Sequence, residues 1–222
     1  MLKDNIDSIS RELPEGVKLV AVSKFHPVEA IMEAYDAGQR RFGENRPQEF
    51  EMKVKAMQEK YGIPRNELEW HFIGHLQTNK LKMVLPYADL VQSVDSMHLL
   101  EAVEEWGKAN SKVINVLLEL HIGAEETKQG FVEEEILGIL FDAEKYTHVR
   151  FCGMMGMATH TDDDEDIRAD FTRISTFYSY LRDLFPDLDS FRELSIGMSG
   201  DWRIAVEYGA TMVRIGTAIF GQ

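Results

Sequence analysis

The chain has 222 residues, enough for one domain and, for a (β/α)8 barrel, at the small end of the range. Hydrophobic residues make up 44% and charged residues 28%, the balance of a soluble globular protein with a substantial core. The net charge of −14 argues against nucleic-acid and membrane partners, and any phosphate ligand would need local positive charge or oriented backbone N–H groups.

Cys152 is the only cysteine, so no internal disulfide forms and a cytoplasmic location is expected. It lies in the apolar run VRFCGMM and reads as a small core residue. The opening MLKDNIDSIS has no apolar signal core, and no stretch reaches the length of a membrane span.

Short apolar runs alternate with longer amphipathic ones. Lys3–Leu13 is read as a helix and Leu19–Lys24 as the first strand. A helix follows over His26–Ala37, with Pro27 in its first turn and Gly38 at its end. Arg40–Asn45 is the second strand, and a helix opens at Pro47 and ends near Gly62. Trp70–His75 is the third strand, with a short helical pattern behind it. Leu90–Asp95 is the fourth; Ser96 then caps a helix carrying Leu99, Leu100, Val103 and Trp106.

The rhythm continues with a strand at Ile114–Gly123, a helix over about Glu133–Glu144, a strand at Val149–Met157 and a long helix over about Asp164–Phe185. Phe191–Met198, a short helix at Asp201–Tyr208 and an eighth strand at Thr211–Thr217 complete the pattern. Strict alternation predicts an all-parallel sheet, and eight strands close a barrel, here as a single domain over residues 1–222. Only a stub follows the eighth strand, so the N-terminal helix is expected to fill the place of an eighth helix.

In such a barrel the functional mouth lies at the C-terminal strand ends. Lys24 ends the first strand, on the face of Val20 and Val22, where desolvation would favour the neutral amine that attacks an aldehyde. A mouth lysine paired with a carboxylate is the equal alternative. Ile196–Gly200 (IGMSG) leads into a helix and can present Ser199, Gly200 and free N–H groups to a phosphate, and Gly216–Thr217 offers a second such turn. Arg214 points inward from the eighth strand and needs a buried partner, either an ion pair or a ligand nitrogen.

VSKFHP around Lys24, FGENRPQE at 42–49, WHFIGHLQTNK at 70–80 and LSIGMSGDW…VRIGTAIFG near the end resemble the pyridoxal phosphate homeostasis proteins. The resemblance spans nearly the whole chain and implies an alanine-racemase-type barrel without the racemase's second domain. It implies that Lys24 holds pyridoxal 5′-phosphate as a Schiff base, with Asn45 beside the cofactor. Ser199, Gly200, Gly216 and Thr217 would hold the phosphate, and Arg214 would face the pyridine nitrogen. It further implies a role in vitamin B6 homeostasis without established turnover, with no catalytic residue and no metal. A monomer is expected, with PLP-dependent apoenzymes as recipients of the cofactor. A racemase-type proton-transfer enzyme is the alternative. The chain departs from the family in GMMGMATH, with Ala158 and Thr159, and in a tail reduced to Gln222.

Other features allow more than one reading. His75, Gln77, Asn79 and Lys80 line the mouth, contact an apoenzyme, or form a solvated loop. Lys128 is a second amine for incoming cofactor or an exposed loop lysine. Met154, Met155 and Met157 are expected to fill the core. His160 with Asp162, Asp163 and Asp164 resembles a metal site only superficially, because consecutive carboxylates diverge; a helix start there is the favoured reading.

Overall fold

The computed structural model describes residues 1–123 and 129–221. In chain order the elements are α1 (Leu2–Glu12), β1 (Lys18–Val22), α2 (Val28–Asp36), β2 (Arg41–Glu44), α3 (Pro47–Glu59) and β3 (Glu69–Phe72). Next come α4 (Leu81–Val84), β4 (Leu90–Val94), α5 (Met97–Ala109), β5 (Ile114–Glu119), α6 (Glu133–Phe141) and β6 (Val149–Met155). The chain continues through α7 (Asp164–Leu184), β7 (Glu193–Ser195), α8 (Trp202–Glu207), β8 (Met212–Ile215) and α9 (Thr217–Phe220). Short 3-10 turns at Arg65–Glu67, Thr78–Lys80 and Ala143–Lys145 link some of them.

The strands pair in chain order and close, β8 returning to β1 in parallel with Val20 opposite Arg214. The expected (β/α)8 barrel is what forms. Both strand faces are buried, which is why the strands read as near-continuous apolar runs. Leu19, Ala21, Phe42, Trp70 and Phe72 face the helices, and Val20, Leu90, Leu117, Met155 and Met212 form a separate cluster inside the barrel. The N-terminal helix covers the gap beside the stub, since Asn5 donates to the Ile219 carbonyl of α9 at 3.0 Å.

Local chemistry sets several boundaries. Ser96 caps α5 by accepting from the Leu99 N–H, and Asp163 caps α7 by accepting from the Glu165 N–H, so the acidic run after His160 serves a helix start. At Gly153 the backbone turns to φ 146° in a bulge of β6, and a β-carbon there would overlap the Glu193 carbonyl oxygen. Glycine is required at this point.

Every strand ends within four residues of the expected limit; β5 and β7 stop four and three residues early because apolar loop residues such as Ile122, Ile196 and Met198 prolong the apolar pattern after pairing ends. Met154 and Met155 are buried as expected, whereas Met157 is 42% exposed and does not fill the core. No helix among the described residues is long and apolar enough to cross a membrane.

Candidate functional site

Lys24 does not continue β1. The strand stops at Val22, His26 donates its N–H to the Ser23 carbonyl, and Phe25 takes φ 66°, a left-handed conformation rare for a bulky residue. The expected lysine walled in by Val20 and Val22 is therefore corrected: Lys24 is exposed at the C-terminal end of the barrel. Its Nζ lies 5.9 Å from the Phe25 ring centroid, and the Arg46 guanidinium sits 4.8 Å from the same ring.

The turn is held from behind. Ser23 is fully buried, and its hydroxyl donates to Glu44 Oε1 at 2.7 Å. Lys53, buried on α3, donates from Nζ to the same carboxylate oxygen at 2.6 Å and to the Ser23 carbonyl at 2.9 Å. Burial raises the Glu44 pKa, opposed by Lys53. Glu44 Oε2 and the neighbouring Asn45 Oδ1 are buried with no hydrogen-bond partner. Gly74 packs so closely on Asn45 that a β-carbon would overlap its backbone.

On the far side of β1, the two glycine turns meet. The Ser199 hydroxyl does not cap its own helix; it accepts the N–H groups of Gly216 at 3.2 Å and Ala218 at 3.4 Å. Gly216 packs on β1, where an added β-carbon would stand 3.2 Å from the Val22 carbonyl oxygen. The N–H groups of Gly200 and Thr217 donate to no acceptor among the described residues. The two glycine turns thus converge beside Val22, two residues before Lys24. The ring of His26 stacks on Phe220 at 4.9 Å, tying the Lys24 turn to α9.

Arg214 is buried and projects into the barrel. Of the two kinds of partner expected, no ion pair forms among the described residues: Nη1 donates to the Ser195 carbonyl (2.8 Å) and hydroxyl (2.7 Å), and Nη2 to the Gly156 carbonyl (3.0 Å). Burial lowers its pKa to about 10, with Glu119 and Asp201 acting against the shift. From Arg214 a chain of donors crosses the interior. The Ser195 hydroxyl donates to Gln92 Oε1 (2.6 Å), and the Gln92 amide donates to His71 Nδ1 (2.7 Å). His71 Nε2 then donates to Glu69 Oε1 (2.9 Å), an assignment of the ring proton that satisfies both neighbours. Burial pushes the Glu69 carboxyl up, but His71 and Arg41 outweigh it and hold the pKa at about 2.

The sequence profile described as "Alanine racemase, N-terminal domain" matches residues 1–222. The pyridoxal phosphate homeostasis protein of Vibrio alginolyticus is 37% identical over 99% of this chain and 97% of its own length. That of Pasteurella multocida is 40% identical over 94% and 88%. The chain belongs to the pyridoxal phosphate homeostasis protein family.

PipY of Synechococcus elongatus, solved with PLP bound, superposes over all of both chains with a TM-score of 0.89 and 34% identity. Alanine racemase of Clostridium difficile shares the fold alone, at 16% identity and a TM-score of 0.74, with 56% of its chain covered. In the segment after β6, the Thr159 N–H and hydroxyl both donate to Asp170 of α7 at 2.7 Å.

Of the remaining candidates, His75 is exposed and shares a 2.8 Å hydrogen bond with Asp95, and Thr78–Lys80 form a 3-10 turn. Lys128 and Gln222 lie outside the described residues. Cys152 is half-buried against the inner cluster, and burial lifts its thiol to about 11, the behaviour of an inert packing residue.

Sequence reasoning missed Lys53, Glu44, Gln92, Ser195 and Glu119. The signal for Gln92 was a polar residue at the inward phase of an apolar strand. Gln92→Leu is expected to leave the Ser195 hydroxyl without its acceptor and His71 without its donor, costing about 2 kcal/mol in a urea titration.

Proposed function

We propose that this chain binds pyridoxal 5′-phosphate at the barrel mouth with Lys24 as the point of covalent attachment, and that it buffers and passes on the cofactor in vitamin B6 homeostasis without turning over a substrate. The observation that carries this reading is the convergence of the two glycine turns, joined through Ser199 and packed on Val22 next to the Lys24 turn. The family names and the PLP-bound relative support it.

The residues present suit that group. Free N–H donors at Gly200 and Thr217 with the Ser199 hydroxyl suit a phosphate in a protein whose net charge of −14 otherwise repels anions. Asn45 has a buried acceptor atom without a partner, which suits a ligand hydroxyl or N–H. Arg214 is assigned to the pyridine nitrogen, where its positive charge disfavours a proton. When bound, the cofactor supplies an aldehyde for amines and a ring that can delocalise a carbanion, weakly if its nitrogen is unprotonated.

In this reading Lys24 offers the amine, the Ser23–Glu44–Lys53 set holds its turn, and the relay from Arg214 to Glu69 fixes the guanidinium. The chain acts as a monomer that delivers cofactor to apoenzymes. Borohydride reduction of the loaded protein is expected to fix the cofactor to the peptide carrying Lys24, and Lys24→Ala is expected to be colourless. Mass mapping of the label to another lysine would reject the assignment. Exchange of amino-acid α-protons faster than with free cofactor would replace the carrier role by the racemase-type alternative.

A further inference from the structure

The relay behind Arg214 runs in one direction. Arg214 Nη1 donates to the Ser195 hydroxyl, Ser195 to Gln92 Oε1, the Gln92 amide to His71 Nδ1, and His71 Nε2 to Glu69 Oε1. Ser195, Gln92 and His71 are fully buried, and Arg214 is 4% exposed. β4 and β7 are not neighbours in the closed sheet, so the step from Ser195 to Gln92 crosses the barrel interior. The relay begins near the C-terminal end of β8, at the mouth, and ends at Glu69, the first residue of β3, at the base.

The direction is set from the base. Against the pull of burial, His71 and Arg41 hold the Glu69 carboxyl at about 2, so the relay ends on a full negative charge. Arg41 Nε occupies the other carboxylate oxygen at 2.6 Å. An ionised carboxylate accepts and never donates, so a neutral His71 carries its proton on Nε2 and leaves Nδ1 as an acceptor. That acceptor, with the Met212 sulfur 3.1 Å from the amide nitrogen, fixes which end of the Gln92 amide faces it. The amide oxygen then draws the Ser195 proton away from Arg214, and the Ser195 lone pairs receive Nη1.

We propose that Glu69 is a positioning residue for the cofactor at the opposite end of the barrel: acting through His71 and Gln92, it turns the Ser195 hydroxyl to receive Arg214 and so fixes the guanidinium that meets the cofactor ring. This deepens the cofactor reading above and rests on it. Packing alone does not call for the relay. Val20, Leu90, Leu117, Met155 and Met212 already form an apolar cluster inside the barrel, and replacing hydrogen-bonded pairs by apolar groups of the same shape is nearly neutral for stability. The carboxylates that act on Arg214 through space are Glu119 and Asp201. Glu69 is not among them; its link is the run of hydrogen bonds, each polarising the next.

The test compares Glu69→Gln, Gln92→Leu and, as a control for loosened packing, Leu117→Ala, an inner-cluster residue outside the relay. Glutamine at 69 keeps the size of the side chain but both accepts and donates. In the cofactor-free protein, 15N NMR of His71 is expected to show the Nε2–H tautomer alone in the wild type and a mixture of tautomers in Glu69→Gln. Pyridoxal 5′-phosphate labelled with 15N at the ring nitrogen is then added. Its resonance is expected to move in Glu69→Gln and Gln92→Leu and to stay in place in Leu117→Ala. Cofactor affinity, read by absorbance, is expected to fall about three- to tenfold in the first two, the loss of one positioned hydrogen bond. The sign is diagnostic, because removing a negative charge from a protein of net charge −14 would by itself favour an anionic ligand. An unmoved resonance or an affinity not weakened in Glu69→Gln, an equal movement in Leu117→Ala, or a wild-type His71 protonated on Nδ1 overturns the inference. Wild-type protein that takes up no cofactor rejects the cofactor reading. Wild-type protein that takes it up on Lys24 and fails any of these comparisons rejects this inference alone.

Discussion

Lys53→Met is expected to cost about 3–5 kcal/mol of folding stability, because it removes one partner of a buried ion pair and leaves the other. Glu44 is fully buried and Lys53 is 1% exposed. The ammonium donates to Glu44 Oε1 and to the Ser23 carbonyl, with Glu49 3.6 Å away on its own helix. Without it, the Ser23 hydroxyl is the one remaining donor to Glu44, whose second oxygen already lacks a partner. The Ser23 carbonyl would lose its side-chain donor directly before Lys24. Urea unfolding measures the loss, and a change below about 1 kcal/mol would mean that the pair is not desolvated as described. The double variant Glu44→Gln, Lys53→Met is expected to regain more than half of the loss, since no charge is then left buried. A second readout is local: burial and then Lys53 lower the His26 pKa, so His26 should titrate at higher pH in Lys53→Met.

The same contact explains why Lys24 was misplaced by the sequence pattern while the barrel was legible. The barrel follows from alternation: eight apolar runs, each buried on both faces, separated by amphipathic helices whose caps at Ser96 and Asp163 can be read from local residue types. The glycine turns were also readable, because Gly197, Ser199, Gly200 and Gly216 are close in sequence to the last two strands. The turn at Ser23–His26 carries no glycine, and nothing local ends the strand. It is shaped by a lysine thirty positions along the chain that reaches back to a backbone carbonyl. Extending period two through Lys24 therefore gave a buried side chain where an exposed one stands. The relay from Arg214 to Glu69 was hidden for a related reason, since its five members come from four strands and only closure brings them into line.

Glu119→Gln is expected to flatten the dependence of stability on pH, and the sign follows from where the proton is held. In the unfolded chain the carboxyl titrates near its ordinary value of 4.5; in the folded barrel burial lifts it to about 7. Between those values the native state keeps a proton that the unfolded state has released, so stability falls as pH rises through this window, by about 3 kcal/mol in all. The stabilisation is complete below about pH 4.5 and gone above about pH 7. Glutamine carries no such proton. The variant should match the wild type most closely near pH 5 and exceed it in stability near pH 8, by urea unfolding at both values. The charges of Asp95, His75 and Arg214 act on Glu119, but all three residues remain in the variant, so the difference between the two curves isolates residue 119. Asp95→Asn removes the carboxylate that adds to the rise, and should move the wild-type fall to lower pH. Parallel curves for wild type and Glu119→Gln would show that this carboxyl is solvated in the native barrel.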